Sequence, residues 1–337
     1  MVKSQQENVM KKEIPHKKKL GKNTLANNYI SKHSAIDSLA GTFYHHTSPE
    51  GLLGILRNRQ IFFTDCQFLN DYKERMGINK ELDLFWNKNK GTYEQDFYKL
   101  MSSIRISEYE DLYYDINGSN ELSRYFVMST SKNSDSLSMW KYYAKNGAYY
   151  GYNIGLFVPA LDDEWIDEEI EVVIENGEVI YSNDEKQSII LKGINNIYKF
   201  WLEYEKCNEI NLKIARDFKE WISYISVFFK DESFASEEEY RFVAIAPKSK
   251  LNKLFYKDGQ TNIKMYDFRI VNGVAVPYLK IPICSDSSEE FWGIDSIGIS
   301  PTQHHDQMAN GIIQLTNSLD YLLHNFTIRK SNIPLRY

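Results

Sequence analysis

The segment Thr42–Ser48 constrains the fold more than any other part of this sequence. It begins as an apolar run typical of a strand, turns polar at two adjacent histidines and leads at once into Pro49, a residue suited to the first turn of a helix. The apolar residues at positions 52, 53, 55 and 56 then fall on one helical face, and a second strand-like run covers 60–64. This order predicts a strand, a helix and a strand, with polar side chains where the first strand ends.

Two interpretations of this polar strand end remain open. One is a ligand site in which backbone N–H groups and an imidazole converge, and the other is an ordinary buried strand with a polar exit. Residues 42–48 taken alone favour the ordinary strand. Because alternate residues of a strand point to opposite sides, only one of His45 and His46 can face a cleft, and we expect it to be His45, which shares its side with Thr47.

The composition indicates a globular protein of 337 residues, rich in aromatic side chains. Its net charge of -6 provides no general attraction to nucleic-acid phosphates. The three cysteines, Cys66, Cys207 and Cys284, are widely spaced and form no zinc pattern, which favours a reducing compartment. No apolar run is long enough to span a bilayer, and residues 1–22 lack the apolar segment of a secretory signal. We therefore expect a cytoplasmic protein with no membrane partner.

The domain organisation follows from composition and periodicity. Residues 1–36 are rich in lysine and poor in large apolar residues, which predicts a basic flexible tail. Residues 37–337 show no break in composition and predict a single α+β domain with helical insertions near 76–117 and 184–228. An Asn176-Gly177 pair between two apolar runs predicts a hairpin turn.

Three polar clusters stand at strand boundaries, at residues 45–48, 129–131 and 237–241. In the third, strand alternation sends Glu237, Glu239 and Arg241 to one side, and Glu238 and Tyr240 to the other. Two carboxylates side by side next to an arginine are a costly arrangement unless something uses them. An exposed acidic turn with a surface ion pair is the alternative.

Other catalytic patterns are weaker. Ser129, Ser131, His45 and Asp71 supply the residue types of a hydrolytic triad, but neither serine lies in a nucleophile-elbow pattern. His304 and His305 are adjacent and lack the spacing of metal ligands on a helix, and there is no phosphate-binding glycine loop. We therefore predict no metal site.

A series of short motifs resembles the domain-of-unknown-function family numbered 2971, over about residues 42–336. The motifs are, in chain order, Tyr44-His45-His46-Thr47-Ser48, Leu69-Asn70-Asp71 with Glu74, Ser129-Thr130-Ser131 followed by Met139-Trp140, Lys230, Phe234, Glu237, Glu239-Tyr240-Arg241 and Ser331-Asn332-Ile333-Pro334-Leu335-Arg336. Each motif is short, and their number and order carry the resemblance.

That family is similar, more distantly, to the ADP-ribosyltransferase superfamily, and the likeness implies an α+β fold with a split mixed β-sheet core. In those enzymes a His-x-Thr or His-x-Ser motif holds the adenosine-side ribose and the nicotinamide amide of NAD, a Ser-Thr-Ser or Tyr motif shapes the nicotinamide pocket, and a late glutamate binds the nicotinamide ribose. Carried over by position, His45 and Thr47 match the first motif, Ser129 and Ser131 the second, and Glu239 the third.

The resemblance assigns two further roles. Glu237 falls where Glu-x-Glu members of the superfamily keep a substrate-directed acid, and Tyr143 and Trp140 are expected to form stacking walls for nicotinamide or adenine. A carboxylate on the ribose hydroxyl would stabilise the positive charge that builds on the ribose as the glycosidic bond breaks. A second carboxylate two residues away would deprotonate the incoming nucleophile.

The resulting prediction is a metal-independent, NAD-dependent ADP-ribosyltransferase-like enzyme. It would use NAD as a substrate and either transfer ADP-ribose to an unknown macromolecule, protein or nucleic acid, or hydrolyse NAD; by resemblance it would serve as a toxin or phage-defence effector. One alternative is a non-catalytic nucleotide- or partner-binding module of the same fold. The other is a metal-dependent nuclease with Glu237, Glu239 and Asp71 around a divalent ion.

Overall fold

A computed structural model describes residues 41–69, 74–107, 123–143, 150–158, 172–204, 207–258, 261–283, 293–319 and 326–334. The predicted basic tail of residues 1–36 lies outside the described residues. Among the described residues, no helix is both long and apolar enough to cross a membrane.

Strands and helices alternate irregularly along the chain. The strands are β1 Gly41–Thr47, β2 Gln60–Asp65, β3 Ser123–Ser131, β4 Tyr152–Val158, β5 Val173–Glu178, β6 Glu239–Pro247, β7 Phe255–Asp258, β8 Thr261–Lys264, β9 Tyr266–Val271, β10 Val274–Pro282, β11 Gly293–Ile299 and β12 Thr327–Lys330. The α-helices are α1 Pro49–Asn58, α2 Gly77–Lys88, α3 Gln95–Met101, α4 Leu137–Tyr143, α5 Asn183–Glu203, α6 Asn208–Ser226 and α7 His305–Ser318. The strand, helix and strand predicted after residue 42 are β1, α1 and β2, with Ser48 capping α1.

Within the described residues, ten strands form one sheet in the order β12-β11-β4-β1-β3-β2-β10-β9, in which β6 also pairs with β3 and β5 pairs with β6. The β11–β12 pair is parallel and the other pairs are antiparallel, so the sheet is mixed and the predicted α+β class is confirmed. One edge of β3 pairs with β6 over its whole length. The other edge is shared, because β2 pairs at Phe126 and Val127 whereas β1 pairs only at Ser131. The sheet therefore divides between β1 and β2, beside Ser129.

The two faces of this sheet carry different cores. On one face β1, β3 and β6 contribute Phe43, Met128 and Tyr240, and the rings of Phe43 and Tyr240 stack with centroids 3.9 Å apart. On the other face Val127 and Val243 pack beneath the helical insertions. Side chains alternate between the two faces of a strand, so the polar residues two and four positions beyond these valines also lie on the second face. They are at the end of β3 and the start of β6.

The predicted helical segments form this second core. The described part of 76–117 contains α2 and α3, and the segment 184–228 is occupied by α5 and α6. Buried residues recur every four positions on α6, at Ile210, Ile214, Phe218 and Ile222, which gives one apolar stripe facing the core. Helix α2 packs on α5 and α3 packs on α6, and these helices cover the second face of the sheet.

The hairpin predicted at Asn176-Gly177 was wrong. Both residues lie inside the single strand β5, opposite Phe242 and Arg241 of β6. The Asn176 side chain is buried and accepts a hydrogen bond from the Tyr240 hydroxyl. This long-range partner satisfies the amide within the sheet, so the local turn preference is overridden.

Candidate functional site

A buried group of charged side chains lies at the polar end of β3 and β6, and we call it the carboxylate cluster: Glu74, Lys230, Glu237, Glu239 and Arg241. The Lys230 ammonium bridges two carboxylates, with Nζ 2.6 Å from Glu237 Oε2 and 2.9 Å from Glu239 Oε2. The Arg241 guanidinium donates from Nε to Glu239 Oε1 at 2.8 Å and from Nη2 to Glu74 Oε1 at 2.6 Å. Its Nη1 donates to the Val227 carbonyl. The cluster thus links β6 to the chain before α2 and to the end of α6.

The local backbone explains why these carboxylates converge. Glu237 ends a 3₁₀ helix, and Glu239 and Arg241 occupy alternate positions of β6. Between them Glu238 adopts a left-handed conformation, with φ 45°, and its side chain is exposed. This uncommon conformation for a non-glycine residue turns the chain so that both flanking carboxylates point inward. The shared side predicted from strand alternation is confirmed for Glu239 and Arg241, whereas Glu237 lies before the strand and reaches them through this turn.

The electrostatics hold Glu239 and Lys230 ionised. Burial by itself would raise the pKa of Glu239, but the charges of Arg241 and Lys230 lower it to about 2. Burial would lower the pKa of Lys230, whereas Glu239 and Glu74 hold it well above its usual range. At Glu74 burial outweighs the charge of Arg241 and raises the pKa of the carboxyl.

The two central glutamates differ in how fully they are bonded. Glu239 accepts from Arg241 at both oxygens and from Lys230 at Oε2, and a hydrogen bond from the Ser129 hydroxyl further lowers its pKa. These four donors saturate the lone pairs of that carboxylate. Glu237 accepts only from Lys230, at Oε2, among the described residues. Of the four carboxylate oxygens of Glu237 and Glu239, Glu237 Oε1 is therefore the best placed to accept a hydrogen bond from a ligand hydroxyl.

Aromatic side chains border the carboxylates. Burial, followed by the charges of Glu239 and Glu237, raises the pKa of Tyr143 well above its usual range. The Tyr181 hydroxyl accepts from the Glu239 backbone N–H at 3.0 Å, and burial raises the pKa of Tyr181 to about 12. The Phe234 ring lies with its centroid 5.0 Å from Lys230 Nζ, within cation–π distance. The predicted pocket residue Tyr143 thus lies close enough to both carboxylates to respond to their charge.

The register between β1 and β3 separates the two histidines. Tyr44 lies opposite Ser131, so two residues further along each strand His46 shares the face of Ser129. His46 is buried, its Nε2 lies 3.3 Å from Asn153 Nδ2, and its ring meets Trp140 edge-on with centroids 4.6 Å apart. Burial, together with the charge of His45, lowers the pKa of His46 to about 3, so this imidazole is neutral.

His45 lies on the opposite face of β1, at the point where the sheet divides. Its Nδ1 donates to the Ser129 carbonyl at 3.0 Å, and burial lowers its pKa. Thr47 shares this face and packs against α1: a Cβ built on Gly51 would come within 2.0 Å of Thr47 Oγ1. His45 therefore reaches the predicted pocket through the backbone of Ser129, and Thr47 supports the start of the helix.

The two predicted serines have different surroundings. The Ser129 hydroxyl bonds the Glu239 carboxylate, whereas the Ser131 hydroxyl donates to the Glu237 carbonyl at 2.8 Å and accepts from the Asn133 N–H at 3.1 Å. Ser131 thus fixes the backbone that carries Glu237. The structure brings together Ser129, Ser131, Tyr143, Glu237 and Glu239, with His45 at their edge and Thr47 apart.

The start of the motif at residues 331–336 holds the loop that contains Asp135. Asp135 accepts from Trp140 Nε1 at 2.8 Å, from the Ser331 hydroxyl at 2.6 Å and from the Asn332 N–H at 2.8 Å. Trp140 in turn contacts His46. Residues 331–334 therefore hold the loop that supports the His46 side of the site, while positions 335 and 336 of the motif lie outside the described residues.

The comparison with protein families bears on this same region. Residues 139–242 match a family model described as "Protein of unknown function (DUF2971)". The match covers less than half of the chain and includes Tyr143, Lys230, Glu237, Glu239 and Arg241. Neither a search of curated proteins nor a search of solved structures finds a match. The sequence resemblance to the domain-of-unknown-function family is thus supported over that stretch, and its more distant likeness to ADP-ribosyltransferases stays a prediction.

The described residues include no group of three or more His, Cys, Asp or Glu side chains arranged to hold a metal ion. Asp71, the third acid of the nuclease alternative, lies outside the described residues. At Glu237 and Glu239 the bridging position is taken by the Lys230 ammonium.

Three members of this site have no role predicted from the sequence. Lys230 and Glu74 belong to the family motifs without an assigned role, and Tyr181 belongs to none of those motifs. Lys230 is seven residues from Glu237, and no local period connects the two positions. Their contact depends on the turn from α6 into the 3₁₀ helix.

Proposed function

We propose that this protein is an NAD-dependent ADP-ribosyltransferase-like enzyme that cleaves the nicotinamide glycosidic bond at the carboxylate cluster. The observation that carries the proposal is a buried cluster of carboxylates, with Glu239 held ionised, on the same sheet face as Ser129 and His46 and bordered by Tyr143. Positive charge builds on the ribose as the C–N bond breaks, and fixed negative charge in a buried site stabilises that transition state.

The hydrogen bonds of the two glutamates suggest how their roles divide. Glu239 is saturated by cationic and hydroxyl donors and kept ionised by a pKa of about 2, so it acts through its charge. Glu237 keeps Oε1 for the ribose hydroxyl or for the nucleophile that attacks the ribose. Neutral His46 and the Tyr143 ring would orient the dinucleotide, in keeping with metal-independent chemistry.

The proposal is tested by incubating the purified protein with NAD and measuring released nicotinamide by mass spectrometry. Labelled NAD supplied with cell protein, RNA or DNA identifies the acceptor and separates transfer from hydrolysis. Glu237→Gln keeps the shape of the side chain and removes its charge, and we expect it to lower nicotinamide release at least ~100-fold. We also expect the active protein, but not this variant, to arrest growth of the cell that expresses it, as a toxin or phage-defence effector would.

Glu238→Gln is the matched control. This neighbouring glutamate is exposed, and its Oε1 accepts a hydrogen bond from Asn133 Nδ2 at 3.2 Å and not from the cluster, so we expect unchanged nicotinamide release. Absence of NAD turnover with every acceptor class, together with NAD binding too weak to detect by calorimetry, would overturn the proposal. Equal loss of activity in Glu237→Gln and Glu238→Gln would overturn the role of Glu237.

The saturation of Glu239 favours a second candidate, a non-catalytic nucleotide- or partner-binding module of the same fold. A carboxylate held by four donors is well suited to fixing a binding surface and poorly suited to exchanging partners during a reaction. This candidate predicts that NAD or another nucleotide binds without product, and that binding survives Glu239→Gln. Detection of free nicotinamide that depends on Glu237 would exclude it.

A further inference from the structure

Strand β9 is an exposed edge of the sheet among the described residues, far along the strand order from the carboxylate cluster. It reads Tyr-Asp-Phe-Arg-Ile-Val over Tyr266–Val271. Phe268 is 53% exposed and Ile270 is 72% exposed, although both are large and apolar. Edge strands are usually protected by lysine, proline or a bulge, and β9 contains no lysine or proline and pairs with β10 without a register shift.

We infer that β9 pairs antiparallel with the β9 strand of a second copy of this chain, across a twofold axis at Phe268. The two sheets would then become one continuous sheet through the dimer. This inference is independent of the proposed enzymatic function.

The backbone of Phe268 is suited to such pairing. Its partner on β10 is Pro277, which has no N–H to donate, so this pair cannot exchange ladder hydrogen bonds. The Phe268 N–H instead donates a hydrogen bond to Asp267 Oδ1 of its own chain at 2.8 Å. The amide and carbonyl of Phe268 therefore point to the open edge, where the carbonyl of a symmetry-related strand can replace that carboxylate as the acceptor and the two strands can exchange two hydrogen bonds.

The side chains specify which strand fits. An antiparallel twofold at Phe268 places Asp267 of each copy opposite Arg269 of the other, and Tyr266 opposite Ile270. Opposite charges directly across an antiparallel pair are favourable, as are aromatic pairs with large apolar side chains. A strand of an unrelated protein would not require this arrangement, which is complementary to itself.

Both charged side chains are held on one face. Asp267 Oδ2 lies 2.6 Å from Lys280 Nζ, with the aspartate side chain 47% exposed, and Arg269 Nη2 donates to Thr64 Oγ1 at 2.9 Å. The apolar residues Phe268 and Ile270 occupy the other face. Two paired six-residue strands bury less surface area than a standard protein interface. We therefore expect a weak dimer whose population increases with protein concentration.

Sedimentation velocity between about 1 and 200 µM tests the inference on the full chain, a range that spans weak association. We expect the mass to shift from monomer towards dimer, and Ile270→Lys to remain monomeric throughout. Leu212→Lys is the matched control, since Leu212 is 73% exposed on α6. A wild-type protein that stays monomeric at 200 µM, or equal effects of the two lysine substitutions, would overturn the inference.

Charge reversal tests the register itself. Arg269→Asp places two aspartates opposite each other and is expected to abolish the dimer, whereas the double variant Asp267→Arg, Arg269→Asp restores opposite charges and the dimer. Thermal melts of each variant establish that it is folded. A double variant that is folded and still monomeric would overturn the register.

A cysteine cross-link gives a second measurement of the axis. In a background with Cys207→Ser and Cys284→Ser, Phe268→Cys places two thiols across the twofold, where the Cα separation of about 5.5 Å suits a disulfide. We expect a covalent dimer on mild oxidation of this variant and not of Val274→Cys, an exposed position on β10. Equal cross-linking of the two variants would show that β9 does not pair at Phe268.

Discussion

Replacement of Lys230 by Met tests whether the carboxylate cluster is held together by its central ammonium. Met keeps the length of the side chain and removes the charge that lies 2.6 Å and 2.9 Å from Glu237 and Glu239. The lowering of the Glu239 pKa from 4.5 to about 2 corresponds to about 3 kcal/mol of stability, part of which Lys230 provides. Removing one partner of a buried ion pair leaves an uncompensated charge, and we expect a loss of ~3–5 kcal/mol at pH 7.

The difference in stability between Lys230→Met and the wild type should depend on pH. In the wild type the depressed pKa of Glu239 stabilises the fold above pH 4.5, and this contribution is lost as the pH falls towards 2. Without Lys230, Arg241 is the remaining cation that opposes the effect of burial on Glu239, so the pKa of Glu239 rises and a proton is taken up more readily. The deficit of Lys230→Met relative to the wild type should therefore shrink as the pH is lowered from 8 to 5.

Urea unfolding followed by tryptophan fluorescence at several pH values measures this difference. Lys132→Met is the matched control, because Lys132 pairs with Glu178 at 3.0 Å on the surface, with side chains 39% and 43% exposed. Exposed pairs contribute about 1 kcal/mol or less. The reasoning is refuted if both variants lose the same free energy of unfolding, or if the Lys230→Met deficit is independent of pH.

Three further perturbations probe the surroundings of the cluster. Because the pKa of His46 is lowered to about 3, the free energy of unfolding of the wild type should fall by about 1.4 kcal/mol per pH unit below pH 6.5. In urea titrations, His46→Gln should reduce that dependence on pH. Asp135→Asn replaces one of the two acceptor oxygens with an NH₂ group, so at least one of the three donors loses its acceptor. It should cost ~1–3 kcal/mol of stability with faster hydrogen exchange at 331–334, whereas Asp306→Asn, at an exposed ion pair, should change neither. Gly193→Ala would bring a methyl group to 2.1 Å from an indole carbon of α6 and should lower the thermal midpoint, whereas Gly311→Ala, with nothing within 4 Å, should raise it by removing a helical glycine.

Local periodicity was enough to predict the parts of the fold that depend on near neighbours. The four-residue spacing of apolar side chains predicts α6, and the two-residue spacing puts Glu239 and Arg241 on one side of β6. It also shows that His45 and His46 point to opposite faces. The same local logic failed at Asn176-Gly177, where the Tyr240 hydroxyl holds the amide inside a strand.

Only the tertiary structure decided which of these faces meet. The pairing of Tyr44 with Ser131 sets His46 beside Ser129, and the division of the sheet between β1 and β2 leaves His45 on the Ser129 carbonyl. Lys230 reaches both carboxylates because the chain turns back after α6, a contact that no spacing in the sequence encodes. Strand register and helix-to-strand turns are set by interactions between distant segments. The residue types of the site can therefore be predicted from the sequence, whereas their proximity depends on the packing of the sheet.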